Sequence, residues 1–149
     1  LKAALQRLRY WRAREGCLCA LYPSYVFFNP APLLEQGHDV IYVSSPDFFG
    51  KIEASRFDPS GDADTLLRTA STADLLILDD LGTEYTSAYT VACLYNIINT
   101  RILCSRPTVI STNLGFDELA QKYDQRITSR IAGAYSRLVL VGNDIRYIK

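Results

Sequence analysis

The chain is 149 residues long, 48% of them apolar, and its sixteen basic and sixteen acidic side chains cancel to a formal net charge of zero. That length is the common size of one domain and the apolar share is ordinary for a globular protein. No apolar run approaches the ~20 residues of a membrane-spanning helix.

The zero conceals a segregation. Residues 1–15 carry Lys2, Arg7, Arg9, Arg12 and Arg14 against Glu15 alone, and residues 122–149 carry six basic groups against two acidic ones. The middle is therefore acidic. Basic ends suit phosphates or acidic partner surfaces. The first of them is equally explained as the solvated face of one amphipathic helix with Leu5, Leu8 and Trp11 inward. We expect a basic N-terminal helix over 1–15 and a single core over 16–149. Cys17, Cys19, Cys93 and Cys104 lack the paired C-x-x-C spacing of a zinc site. Cys93, inside an apolar helical pattern, reads as a core residue, and the chain as a cytoplasmic protein with reduced thiols.

In chain order, residues 25–28 read as an apolar strand and 33–37 as the last turn of a helix stopped by Gly37. Residues 40–43 are a second strand. The polar stretch 56–64, with its Pro and Gly, reads as a surface loop, and 65–70 as helical. Residues 75–79 form a strand, and 88–103 place Val91, Leu94, Tyr95, Ile98 and Ile102 at helical spacing. A strand over 108–111 follows Pro107, a helix over 116–123 comes next, then a short helix over 124–131 and a last strand over 138–141. This alternation predicts an α/β fold, a parallel sheet covered by helices on both faces.

The most informative stretch is Leu75-Leu76-Ile77-Leu78-Asp79-Asp80-Leu81-Gly82. Four aliphatic residues in a row are the signature of a strand buried on both faces. Two adjacent carboxylates at its end would be costly to bury without a metal or polar ligand, and the C-terminal edge of such a strand is where α/β sheets bind ligands. This is the form of a Walker B element, in which the first acid helps hold Mg²⁺ on a nucleoside triphosphate and the next orients the attacking water. The alternative is a solvated acidic turn. Asn113 ends the 108–111 strand region, where its amide is suited to hold a water or merely to cap the following helix. Arg126 and Arg130 stand at i, i+4 on one face of the 124–131 helix, with Asp124 as N-cap and Ile127 and Ile131 on the other side.

The phosphate-binding partner of such an element, G-x-x-x-x-G-K-[ST], occurs nowhere in the chain. The chain has no Met and starts at Leu1. We therefore expect that residues have been trimmed or dropped, and that the P-loop segment is missing near 29–32. There, strand 25–28 runs almost directly into a helix end, although a βαβ crossover needs at least ~10–12 residues.

Taken together, Ala73 through Glu84, Leu94-Tyr95-Asn96-Ile97-Ile98-Asn99-Thr100-Arg101, Ser111-Thr112-Asn113-Leu114, Gln125 through Ile131 and Gly142-Asn143-Asp144-Ile145-Arg146 resemble the AAA+ ATPases of the DnaC/DnaI helicase-loader group. The resemblance covers residues 25–149 in consistent order. It implies an AAA+ P-loop NTPase-type core in which Asp79 and Asp80 form Walker B, with Asp79 nearest the Mg²⁺. Asn113 would be sensor 1, Arg130 the arginine finger presented to a neighbouring subunit, and Arg146 a group near the sensor 2 position. It further implies ATP or ADP with Mg²⁺ as cofactors and ATP hydrolysis as the activity. The implied partners are a replicative helicase, single-stranded DNA and further copies of the chain, with no membrane involved. IstB-type transposition ATPases share these motifs and stand as the alternative, as does a non-hydrolysing interaction module if the P-loop is truly absent.

Overall fold

The computed structural model describes residues 17–22, 31–57 and 62–140. The expected N-terminal helix over 1–15, the strand over 25–28 and Arg146 all lie outside the described residues. Within them the elements are β1 (Cys17–Tyr22), α1 (Ala31–Glu35), β2 (Val40–Ser44), α2 (Ser45–Ala54), α3 (Asp62–Thr72), β3 (Leu75–Asp79), α4 (Ala88–Leu103), β4 (Thr108–Thr112), α5 (Phe116–Lys122), α6 (Gln125–Ala134) and β5 (Ser136–Leu140).

The strands form one sheet in the order β2-β3-β4-β1-β5. The three that carry the expected pattern, β2, β3 and β4, are parallel, pairing Ser44 with Asp79 and Leu78 with Ile110. β1 was not expected from the sequence. It runs antiparallel between β4 and β5, from Leu18 opposite Thr112 to Tyr22 opposite Thr108.

Alternation along β3 and β4 sends their side chains to two cores. Leu76, Leu78 and Ile110 face Phe48, Phe49 and Ile52 of α2, Ala70 of α3, Cys93, Leu94, Ile97 and Ile98 of α4, Leu119 of α5, and Ile127 and Ile131 of α6. Leu75, Ile77 and Val109 face the other way, toward Leu33 of α1. Helices therefore cover both faces of the sheet. Each fully buried aliphatic side chain contributes ~1.5–3 kcal/mol, which suits the unbroken run of β3 to the middle of the three parallel strands, flanked by β2 and β4.

Local signals set most helix ends. Gly37, at φ 83°, closes α1 with a Schellman pair in which the Gly37 amide donates to Leu34 O (3.1 Å) and the His38 amide to Leu33 O (3.0 Å). Ser87 caps α4 in a reciprocal box with Thr90, and its hydroxyl also donates to Glu53 Oε2 of α2 at 2.8 Å. Two expectations change. Residues 62–64, expected in the surface loop, form the first turn of α3, whose Asp62 and Asp64 suit a helix N-terminus. α2, which has Pro in its first turn, was not expected at all.

Arg101, on the last turn of α4, is fully buried. Its Nε donates to Thr108 Oγ1 (2.8 Å), its Nη1 to Ala70 O (2.8 Å) and Ala73 O (2.9 Å), and its Nη2 to Pro107 O. Burial pushes the guanidinium down to about 10 from 12.5, which leaves it charged at neutral pH. Removing the side chain strands several acceptors, at ~1–3 kcal/mol each. Arg101→Ala should therefore cost more than ~3 kcal/mol in urea unfolding, and Arg101→Lys, with one compact donor head, should recover less than half of it. A loss below ~1 kcal/mol would mean that water satisfies those carbonyls instead.

Candidate nucleotide site at the carboxyl edge of the sheet

Asp79 is the last residue of β3, and alternation places its side chain with Ile77 on the α1 face. Both carboxylate oxygens are engaged by hydroxyls from the neighbouring strands. Tyr42 of β2 donates to Oδ2 and Ser111 of β4 donates to Oδ1. The carboxylate is half-buried, and two donors reaching in from either side hold it in one orientation at the centre of the parallel strands. Neither donor was foreseen. Only the pairing register, with Tyr42 opposite Ile77, brings them within reach.

Asp80 then leaves strand geometry, turning left-handed at φ 55°, a region Asp tolerates better than most residues. Its amide donates to Ser111 Oγ at 2.9 Å, so one serine hydroxyl bridges both acids. Its carbonyl accepts from Thr83 N (3.2 Å) and Thr83 Oγ1 (2.8 Å). Gly82 is required here. At φ 107° it lies so near the end of β4 that a Cβ would sit 2.5 Å from Leu114 Cδ1. The turn is also bonded to β4 through Leu81 N donating to Ser111 O (2.8 Å) and Thr112 Oγ1 donating to Leu81 O. Asn113 follows immediately and is exposed. The fold thus brings Asp79, Asp80 and Asn113 to one edge, and the helix α5 is entered through Gly115, not capped by Asn113.

Arg126 and Arg130 share the face of α6 that the i, i+4 spacing predicts. Both guanidiniums lie over the ring of Tyr95 on α4, at 5.4 and 4.6 Å from its centroid. Arg130 Nε also donates to Asn99 Oδ1 at 2.9 Å. Arg126 forks onto Asp124, through Nη2 at 2.6 Å and Nε at 2.9 Å, and these hydrogen bonds hold the Asp124 carboxyl below its ordinary range. Asp124 is the N-cap of α6, as expected, accepting from the Arg126 amide.

Among the described residues no cluster of three or more His, Cys, Asp or Glu is arranged to hold a metal by itself. Mg²⁺ is ordinarily bound through one or two carboxylates together with substrate phosphates, and the oxygen donors at this edge, Asp79 and Asp80, fit that mode. An open cavity of about 440 Å³ lies at the other end of the parallel strands, lined by Leu34, His38, Asp39, Thr69 and Thr72 among others. It holds none of the carboxyl-edge groups. No helix of the described residues is long and apolar enough to cross a membrane.

Comparison with known proteins agrees with this geometry. The chain is 25% identical over 99 residues to the replicative helicase loader DnaC of Escherichia coli strain K12, and 28% identical over 99 residues to the uncharacterized protein YdaV of the same strain. In each case the match takes in 66% of this chain and 40% of the relative, so the chain spans less than half the length of these proteins. The fold is similar to that of a replication initiator DnaA bound to AMPPCP and single-stranded DNA, with a TM-score of 0.64 and 24% identity over 76% of this chain and 34% of that one. AMPPCP-bound DnaA from Aquifex aeolicus gives 0.62 and 22% over 71% and 33%. The expected α/β fold, a parallel sheet covered by helices, is therefore present. Residues 31–139 match the family of IstB-like ATP binding proteins, and the chain belongs to that family.

Proposed function

We propose that this chain is the ATP-hydrolysing core, residues 16–149 preceded by a basic helix over 1–15, of a cytoplasmic loader that helps place a replicative helicase on single-stranded DNA. The observation that carries the reading is the braced pair Asp79–Asp80 at the carboxyl edge of a nucleotide-binding family's sheet. The similarity to a protein named as a replicative helicase loader supports the partner.

In this reading Asp79 faces the Mg²⁺ of bound ATP, an ion that neutralises charge on the β- and γ-phosphates. Tyr42 and Ser111 keep its carboxylate aimed. Asp80 orients the attacking water and accepts its proton, and Asn113 holds that water from the adjacent strand end. Arg130 serves the nucleotide of an adjacent copy of the chain, and Arg146 contacts the nucleotide from the sensor 2 position. The family match also favours a second reading, an IstB-like helper that delivers DNA to a transposase. ATP-dependent co-elution of the full-length protein with a purified replicative helicase separates the two, since a transposition helper would not be retained.

Single-stranded DNA has a candidate platform on the same side. Tyr85, just beyond the acidic turn, is 85% exposed. Arg56 lies over the rings of both Phe57 and Tyr89, at 5.0 and 4.6 Å. Aromatic faces and guanidiniums together suit stacked bases and their phosphates.

Three outcomes are expected. In titration calorimetry of the full-length protein, Asp79→Ala should weaken nucleotide binding in Mg²⁺ but not in EDTA, whereas Asp80→Asn should bind normally and hydrolyse slowly. Unchanged affinity and turnover in Asp79→Ala would remove the metal-facing role. Arg130→Ala should lose ~10³-fold or more in turnover while the monomer keeps its ATP affinity, and mixing it with Asp80→Asn protein should restore part of the activity. Normal hydrolysis by Arg130→Ala alone would return that residue to a purely structural bond with Asn99. Affinity for an oligonucleotide should fall steeply with salt, and Tyr85→Ala should cost ~1–3 kcal/mol. A flat salt dependence would exclude phosphate contacts as the driver.

A further inference from the structure

The acidic turn does not end at Gly82. Glu84, four residues after Asp80, is only 4% exposed, an expensive place for a carboxylate unless donors surround it. Tyr123 donates its phenol to Oε1, and the Gly82 amide donates to Oε2 at 3.0 Å. The Lys122 ammonium donates to the Glu84 carbonyl oxygen at 3.1 Å. Burial, and next the hydrogen bond to Glu84, push the Tyr123 phenol far up, so it remains a donor across the physiological range.

These bonds reach across 39 positions of sequence to one place, the end of α5. Tyr123 is followed directly by Asp124, whose side chain accepts from the Arg126 amide at 2.8 Å and whose carbonyl accepts from Ile127 N at 2.9 Å. The helix that begins there carries Arg126 and Arg130, with Ile127 and Ile131 fixed in the core. On the other side, Glu84 shares its carboxylate with the Gly82 amide inside the turn that Asp80 opens. A short bonded path therefore joins the two acids to the start of the arginine helix.

We propose that Glu84 is a positioning residue: through Tyr123 and Lys122 it fixes where α6 presents Arg126 and Arg130 relative to the Asp79–Asp80 strand end. The inference rests on the ATPase reading above, in which Arg130 acts on a neighbouring copy. It adds that a residue touching neither nucleotide nor metal sets the placement of that arginine. Were Glu84 only a structural pin, weakening it would lower stability without a particular defect on the arginine side.

Tyr123→Phe keeps the ring and deletes the one hydroxyl, and Glu84→Gln keeps the size and an acceptor, so two mild variants probe one bond. In the full-length protein each should leave the nucleotide dissociation constant within about twofold and lower turnover by ~10–100-fold, the scale on which a ~1 Å misplacement of a catalytic group acts. The double variant should be no worse than the poorer single one, because one change removes and the other weakens the same bond. Amides over 124–131 should exchange with solvent faster in both variants than in the wild type. The decisive measurement is complementation. Mixed with Asp80→Asn protein, Tyr123→Phe should regain activity as Arg130→Ala does, since its acids are intact and only its arginine face is misplaced.

Three results would overturn the proposal while leaving the arginine reading in place. They are wild-type turnover in both variants, a tenfold loss of nucleotide affinity, and failure to complement Asp80→Asn under conditions where Arg130→Ala succeeds. Normal hydrolysis by Arg130→Ala would overturn the arginine reading itself, and this link with it.

Discussion

A fully buried guanidinium governs the geometry of the sheet. Arg101 gives its donors to the carbonyls of Ala70, Ala73 and Pro107 and to the hydroxyl of Thr108. It thereby ties the end of α3, the approach to β3 and the start of β4 to the last turn of α4. A planar fork with fixed donor directions accepts only one arrangement of those groups. The pairing of β3 with β4 starts at that clamp, where Leu76 N donates to Pro107 O at 3.2 Å. Because side chains alternate with a period of two, a slip of one residue would turn Asp79 into the opposite core.

What the clamp fixes at one end decides which side chains meet at the other. With Leu78 opposite Ile110 and Ser44 opposite Asp79, the acid at the end of β3 falls between a tyrosine and a serine that approach from either side. The left-handed turn at Asp80 and the close approach of Gly82 to Leu114 then fold the following residues over the end of β4. The acidic turn is thus built from three strands, and the hydroxyls that hold Asp79 come from residues more than thirty positions away.

The two arginines of α6 are organised by a different force. The ring of Tyr95 gathers both guanidiniums, Asp124 pairs with Arg126, and Asn99 holds Arg130. An aromatic face attracts cations without neutralising them, so Arg130, held by that ring and by the neutral amide of Asn99, keeps its positive charge on the surface of α4 and α6, whereas Arg126 is paired with Asp124.

Much of this was legible in the sequence because it depends on local rules. A continuous aliphatic run marked β3 to the residue, helical spacing marked α4, and Asp124 marked the start of α6. The acids, Asn113 and the arginine pair could be singled out because their residue types follow directly on recognisable strand and helix patterns. α2 escaped because Phe48, Phe49 and Ile52 become one buried stripe only against α3 and α4. β1 escaped because a short apolar segment becomes a strand only where β4 and β5, roughly a hundred residues later, offer it two edges. The supports of the site were equally hidden. Nothing local to Tyr42, Ser111, Glu84 or Tyr123 distinguishes them from an ordinary strand tyrosine, a strand serine, a surface acid and a helix-end aromatic. Their roles arise from register and from bonds spanning more than thirty positions, so the sequence by itself determined the central strands and helices and which side chains stand at their ends, and only the tertiary structure decided what holds those side chains in place.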